Sequence, residues 1–195
     1  WKEVIGTITG FKKYLKYGVC EIGYYSGTEN VSCSDETFTS KDGNEYNVIC
    51  SFNQLKSALQ NNPAGNYILG RDIDGGNANW DVTATFTGVF NGNYHTIKNL
   101  NYTQTTFAAL FPQTNGATIK NLTVENVSSN ATAQYVGALI GNSVSTTVQD
   151  VQITLNGVTL KTRADADTLY AGGMAAIADS LNVSNSTVAM YSSTI

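Results

Sequence analysis

A seven-residue phrase recurs four times in this chain and limits what it can fold into more than any other feature. The copies are TIKNLNY at 96–102, TIKNLTV at 118–124, TVQDVQI at 147–153 and NVSNSTV at 182–188. Apolar residues hold the second, fifth and seventh places, except that Ser186 takes the fifth place of the last copy. Asn99, Asn121, Asp150 and Asn185 hold the fourth. One supersecondary unit is therefore stacked on copies of itself, the logic of a solenoid.

The unit has a second half. Leu110, Leu139 and Met174 stand nine residues before the anchors Ile119, Val148 and Val183, each within a run of small apolar residues. Successive anchors Ile97, Ile119, Val148 and Val183 are separated by 22, 29 and 35 residues. Geometry is thus constant within a unit and variable between units, which places loops at 125–135 and 156–170. Nothing in 96–195 has a 3.6-residue apolar period long enough for a helix in every unit, so helical and leucine-rich repeats are set aside. Short strands separated by turns fit a parallel β-helix in which each unit is one coil, a β-sandwich being the structural alternative. In such a coil the Asn or Asp at the fourth place lies at a turn, and a column of them hydrogen-bonds along the stack. Lys98 and Lys120 share a repeat position and are expected one above the other on adjacent coils.

Composition agrees with a β architecture. Only 13% of residues are charged, and Pro is confined to Pro63 and Pro112, a profile of strands and tight turns rather than of solvated helices. A net charge of −4 argues against nucleic acid, which needs clustered cations. Lys12, Lys13 and Lys16 read as a short solvated face. No apolar run approaches the ~20 residues that span a bilayer. The chain opens at Trp1 rather than Met, as expected of a processed or trimmed product.

Residues 1–45 carry no repeat and form a separate N-terminal segment ahead of the solenoid at 46–195. Val4, Ile8, Phe11 and Leu15 fit a helical stripe interrupted by Gly6 and Gly10, while the alternation around Ile5, Thr7 and Thr9 suits a strand equally well. All three cysteines, Cys20, Cys33 and Cys50, fall in the first fifty residues, at spacings that do not resemble a zinc site. In a secreted protein a Cys20–Cys33 disulfide is the favoured reading, with Cys50 buried or pairing with one of the two. Free buried thiols are the alternative in a reducing compartment. A short amphipathic helix is expected at 51–61, with Ser51 as N-cap, Phe52, Leu55, Ala58 and Leu59 as its apolar stripe and Pro63 as its stop. Placed before the first coil, it is expected to cover the open end of the stack.

The residues also resemble a family. Phe86-x-Gly-x-Phe-x-Gly-x-x-His-x-Ile-x-x-Leu100, Ala109-Leu-Phe111 before Ile119-x-Asn-Leu122, and Val136-Gly-x-Leu-Ile-Gly141 resemble the GLUG-type repeat of bacterial surface and secreted proteins. Gly65-Asn-Tyr-Ile-Leu-x-x-Asp-Ile-Asp74 is similar to the segment that commonly precedes such repeats. The likeness spans about 46–190 and is closest in the first two coils. It implies a right-handed parallel β-helix in extracellular proteins, including adhesins and the non-catalytic parts of large surface proteases. The family carries no catalytic residues to transfer.

Candidate sites are few, and no catalytic, cofactor or metal residue is assigned. His95 is the only histidine, which excludes an HExxH motif, and the resemblance gives it a structural role. Asp72, Asp74 and Asn77 with Gly75 and Gly76 hint at a calcium loop, but Thr83 stands where an EF-hand needs its twelfth, acidic ligand. These carboxylates and Asp165 and Asp167 read as loop charges. Arg71, Arg163, Lys98, Lys120 and Lys161 would serve a polysaccharide-cleaving face, but no recurring pair of carboxylates accompanies them. Tyr24, Tyr25, Tyr46, Tyr67, Tyr94, Tyr102, Tyr135 and Tyr170 are read as packing, with a sugar-stacking surface as the alternative. Sequons occur at Asn30, Asn101, Asn121, Asn126, Asn130, Asn182 and Asn185, to be glycosylated only where eukaryotic machinery exists.

The functional reading is a non-enzymatic extracellular or cell-surface structural or adhesive module. The chain ends at Ile195 directly after the fourth copy, so either it continues or another subunit covers the last coil. Self-association through that end or through the N-terminal segment, head to tail into a filament, is expected, with a glycan or host-surface ligand as candidate partner. The alternatives are a polysaccharide-binding or polysaccharide-degrading β-helix, or a stalk fragment of a larger surface protease or adhesin.

Overall fold

The computed structural model describes residues 11–16, 19–24, 28–41, 43–129, 133–164 and 168–195. The chain divides into two compact units, Trp1–Asn30 and Val31–Ile195. In the first, strands β1 (Phe11–Lys16) and β2 (Val19–Tyr24) pair antiparallel, with Leu15 opposite Cys20. The helical stripe drawn through Phe11 and Leu15 is thus replaced by a strand at 11–16, while Val4, Ile8 and the alternation at Ile5, Thr7 and Thr9 lie outside the described residues.

Among the described residues, the second unit is mainly β with a single helix. It opens with a hairpin of β3 (Thr37–Thr39) and β4 (Glu45–Ile49), followed by α1 (Phe52–Asn61). The helix forms where its pattern places it. Ser51 accepts a hydrogen bond from the Gln54 N–H, and Leu55 and Leu59 are buried, so the N-cap and the apolar stripe both act as the sequence dictates.

From there the chain makes successive passes whose strands pair in parallel. The first pass holds β5 (Tyr67–Leu69), β6 (Ile73–Trp80) and β7 (Thr85–Phe86). The second holds β8 (Val89–Asn91), β9 (Thr96–Tyr102), β10 (Phe107–Ala108) and β11 (Phe111–Asn115). In the third are β12 (Thr118–Glu125), β13 (Ser128–Ser129), β14 (Tyr135–Gly137) and β15 (Ile140–Val144). The fourth contributes β16 (Thr147–Asn156), β17 (Tyr170–Gly172) and β18 (Ala175–Asp179), and the last β19 (Asn182–Ser184) and β20 (Thr187–Tyr191). The second, third and fourth passes each add strands to the same three sheets, β7–β11–β15–β18, β10–β14–β17 and a larger sheet that also includes β3 and β4; the first pass contributes no described strand to β10–β14–β17, and the last adds only to the larger sheet.

The later copies of the phrase stack as their sequence predicts. Ile119 lies beside Val148 and Val148 beside Val183, while Val124, Ile153 and Val188 form a second row. The first copy does not join them. Ile97 pairs with Val124 and Lys98 with Glu125, whereas the place beside Ile119 belongs to Phe90. Lys98 and Lys120 therefore occupy different rows, Lys120 lying between Asn91 and Gln149. The pairs Tyr67/Phe90, Phe90/Ile119, Ile119/Val148 and Val148/Val183 make successive passes 23, 29, 29 and 35 residues long. The interval of 22 compared two different corners of a pass.

The reason is local geometry. The phrase encodes a strand, a left-handed bend and a strand, with positive φ at Asn99 (57°), Asn121 (54°), Asp150 (53°) and Asn185 (48°). Asn and Asp visit this region most readily among non-glycine residues. The same bend serves two corners, so the same phrase appears at both. Asn99 Nδ2 donates to Asp74 Oδ1 (2.9 Å) and Asn121 Nδ2 to Asn91 Oδ1 (3.0 Å), each linking one pass to the one before.

The core runs continuously along the passes. Its early part is aromatic, with Phe86, Phe90 and Phe111 at centroid distances of 5.2–6.5 Å. Trp80 donates its indole N–H to Leu110 O (3.0 Å) and Tyr102 its hydroxyl to Ala138 O (2.6 Å), so both buried rings keep a polar partner. Burial pushes the Tyr102 phenol well above its ordinary value. Later passes are filled by aliphatic residues such as Leu139, Val151 and Ile153. Gly137 and Gly172 mark where a side chain would collide with the Ile140 and Ala175 carbonyls, which accounts for glycine in the second and third small apolar runs.

The disulfide is Cys33–Cys50, with Cα atoms 5.8 Å apart, and not the Cys20–Cys33 pair favoured from the sequence. Pairing with Cys50 follows from the hairpin. The strand β4 carries Cys50 to the start of α1, and β3 returns the Cys33 stretch beside it. A Cβ on Gly70 would meet the Cys50 sulfur at 2.6 Å, so the bridge packs directly on the first pass.

Candidate functional site

The acidic loop beside the only histidine is a brace between passes. Asp72 Oδ1 accepts from the Thr96 N–H (3.0 Å) and lies 3.0 Å from His95 Nδ1. Asp74 Oδ1 accepts from the Gly76 N–H and from Asn99 (both 2.9 Å), while its second oxygen is 3.6 Å from Lys98 Nζ. Partial burial alone would raise the Asp72 carboxyl, but the Thr96 N–H and the charges of His95 and Lys98 outweigh it and hold it below the usual range. The Gly76 N–H and the Asn99 amide do the same for Asp74. Each carboxylate thus faces its own donors. Among the described residues no group of three or more His, Cys, Asp or Glu could hold a metal ion; Asp165 and Asp167 lie outside the described residues.

The cationic groups of Arg71 and Lys98 contact different partners. Arg71 Nε lies 3.3 Å from the Cys33 sulfur, Lys98 pairs with Asp74, and Lys161 donates its backbone N–H to Ser129 Oγ at 2.7 Å. Arg163 donates its N–H to Ala133 O.

Five of the named tyrosines fall into two groups; Tyr94 is half-buried, and Tyr25 and the Tyr24 side chain lie outside what the structure describes. Tyr46, Tyr67 and Tyr102 are buried, and Tyr67 donates its hydroxyl to Asn62 O (2.6 Å). Tyr135 and Tyr170 belong to an external ladder that begins at Phe107. Its centroid distances are 5.1 and 5.7 Å, with rings 21° and 15° from parallel. Phe107 was not singled out from sequence, although a readable signal existed: an aromatic residue stands three or four places before each of Leu110, Leu139 and Met174.

Two concavities accompany these features. One, of about 200 Å³, is lined by Thr83, Gln104–Phe107, Pro112 and Gln113. The other, of about 650 Å³, lies between α1 and the β3–β4 hairpin, with Asp35 and Glu36 on one side and Asn53, Asn61 and Asn62 on the other.

The segments read as loops are partly core. Val127, Ala133 and Leu160 are buried, so chain insertions at 125–135 and 156–170 widen the core as well as extend outward. Among the sequons, Asn30, Asn182 and Asn185 are exposed. Asn101 and Asn121 spend their amides on Asn79 and Asn91, and Asn126 accepts from the Asn156 N–H. Asn130 lies outside the described residues.

The last pass differs from the rest. Val183, Val188, Met190 and Ile195 are 39–43% exposed, whereas Val148 and Ile153, beneath Val183 and Val188, are fully buried. Ser186, which replaces an apolar anchor, accepts from the Val151 N–H at 3.0 Å, so a hydroxyl contact substitutes there for packing. No described helix is long and apolar enough to cross a membrane.

Comparison with known proteins gives one family. No curated protein and no solved structure matches the chain. The profile of the M26 IgA1-specific metallo-endopeptidase N-terminal region matches residues 28–154, from just before the disulfide-bound hairpin through most of β16. The match is to this region and not to the GLUG-type repeat that the sequence resembles. Because it covers about two thirds of the chain, this protein belongs to the family of the M26 IgA1-specific metallo-endopeptidase N-terminal region.

Proposed function

We propose that the chain is a non-catalytic stalk module of a larger extracellular or surface-bound protein, built as a right-handed parallel β-solenoid. The observation that carries this reading is the in-register parallel stacking of successive passes within a stretch that matches the N-terminal region of a protease family. Such a stack lengthens without changing its cross-section, which suits a spacer. The disulfide and the surface-protease family both fit an oxidising, extracellular setting. Antibodies to this chain should label intact source cells and detect a polypeptide much larger than 20.9 kDa after reduction. A cytosolic species of that small mass, or peptide cleavage by the purified chain that is lost on His95→Ala, would refute the proposal.

A second reading rests on the exposed apolar residues of the last pass. That face accepts a further parallel layer, and in the isolated chain a second copy supplies it by self-association. Light scattering should then give a mass above the monomer that falls when Val188 and Met190 are both replaced by Lys. A wild-type monomer at every concentration eliminates this reading.

A further inference from the structure

The aromatic ladder starts abruptly. Phe107, Tyr135 and Tyr170 lie on the paired strands β10, β14 and β17, and among the described residues β10 has no strand on its other side. Where the first pass would supply one, residues 81–84 form no strand. That stretch is held instead by α1, through Lys56 Nζ at 2.7 Å from Asp81 Oδ1 and the Thr83 N–H donating to Gln60 Oε1 at 2.9 Å. The cavity of about 200 Å³ lies here. Its lining comes entirely from residues 83–113 and includes none of the β14 pass, so it adjoins Phe107 on the side away from Tyr135.

We propose that this cavity is a subsite for one neutral pyranose ring, which occupies the place of an absent rung against Phe107. Its volume is below the roughly 300 Å³ at which drug-sized pockets begin, enough for a single ring. Phe107 and Pro112 supply flat C–H and π surface. The hydroxyls of Thr83, Thr105 and Thr106 and the amide of Gln113 both donate and accept, as sugar hydroxyls do. No lining side chain is charged, so a carboxylated or phosphorylated ligand would find no counter-charge. The site stands independently of the stalk reading.

The test uses the full chain, isotope-labelled, titrated with methyl glycosides of glucose, galactose, mannose and N-acetylglucosamine and followed by amide chemical shifts. At least one sugar should move the amides of Thr83, Thr105–Phe107 and Gln113 and saturate at millimolar concentration, as a single stacked ring allows. Phe107→Leu should weaken binding about tenfold, and Phe107→Tyr should preserve it. Tyr135→Leu removes both stacked contacts of the ladder but lies outside the cavity lining, and should leave binding unchanged. Melting curves establish that each variant is folded. Absence of any sugar-dependent shift overturns the proposal, as does equal loss in Tyr135→Leu and Phe107→Leu. Binding of phenol but of no sugar also overturns it, and identifies the cavity as a seat for an aromatic side chain of another protein.

Discussion

Val148 and Val183 hold the same place in adjacent passes, yet the first is fully buried and the second 43% exposed. The same contrast separates the early passes from the last one. Early passes are braced by a disulfide, a helix, buried aromatics with satisfied polar groups, and the Asp72–His95 and Asp74–Asn99 links. On the last pass, serine hydroxyls at Ser186 and Ser193 bond the backbone of the pass beneath. A repeated phrase therefore does not confer equal stability on every copy, because in a stacked fold each layer depends on its neighbours on both sides.

The sharpest way to break this comparison is a matched pair of truncations. Ile153→Ala should destabilise the protein by about 2–5 kcal/mol through transfer and cavity terms. Val188→Ala, in the same row, should cost less than about 1 kcal/mol because its site is partly solvated already. Denaturant melts that show equal losses would refute the difference. Next in size is the brace of the first pass. Cys33→Ser should cost about 3 kcal/mol in the chain-entropy model, and hydrogen exchange should rise first in β4 and β5 rather than in β19 and β20.

A smaller effect addresses the bends. Asn121→Ala forces an alanine into left-handed backbone and removes the bond to Asn91, at about 1–2 kcal/mol, while Asn121→Gly should recover most of the backbone part. If Ala and Gly behave alike, the bend is not what selects asparagine. The smallest expected effect is acid. Asp72 and Asp74 ionise more readily in the folded chain than in the unfolded one. Their contribution is therefore complete above the ordinary carboxylate value of about 3.9 and is lost as pH falls through the lower folded values. Both side chains are largely exposed, so the loss is modest. It should appear as a slight drop in melting temperature below about pH 4 that disappears in an Asp72→Asn, Asp74→Asn variant.

Much of the architecture was legible because it is local. The helix at 52–61 and its Ser51 cap, the nine-residue link and the asparagine bends all depend on near neighbours in sequence. The row assignment of the first phrase was not legible. A strand–bend–strand of identical local geometry fits two corners of the same pass, and only pairing partners separate Ile97 beside Val124 from Phe90 beside Ile119. The disulfide is similar: three cysteines allow several bridges, and the choice of Cys33–Cys50 rests on the hairpin that brings them together. The cavity below Phe107 was invisible for the same reason, since it arises where α1 holds 81–84 out of a sheet.

By itself, the sequence determined that this is a mainly β chain of repeated strand units with turns at the asparagine places, because apolar spacing and turn preference act over a few residues. Tertiary structure alone decided which copies lie in register and which cysteines join. Those outcomes depend on contacts between residues 17–35 positions apart, where many pairings satisfy the local pattern and only simultaneous packing of the whole stack selects one.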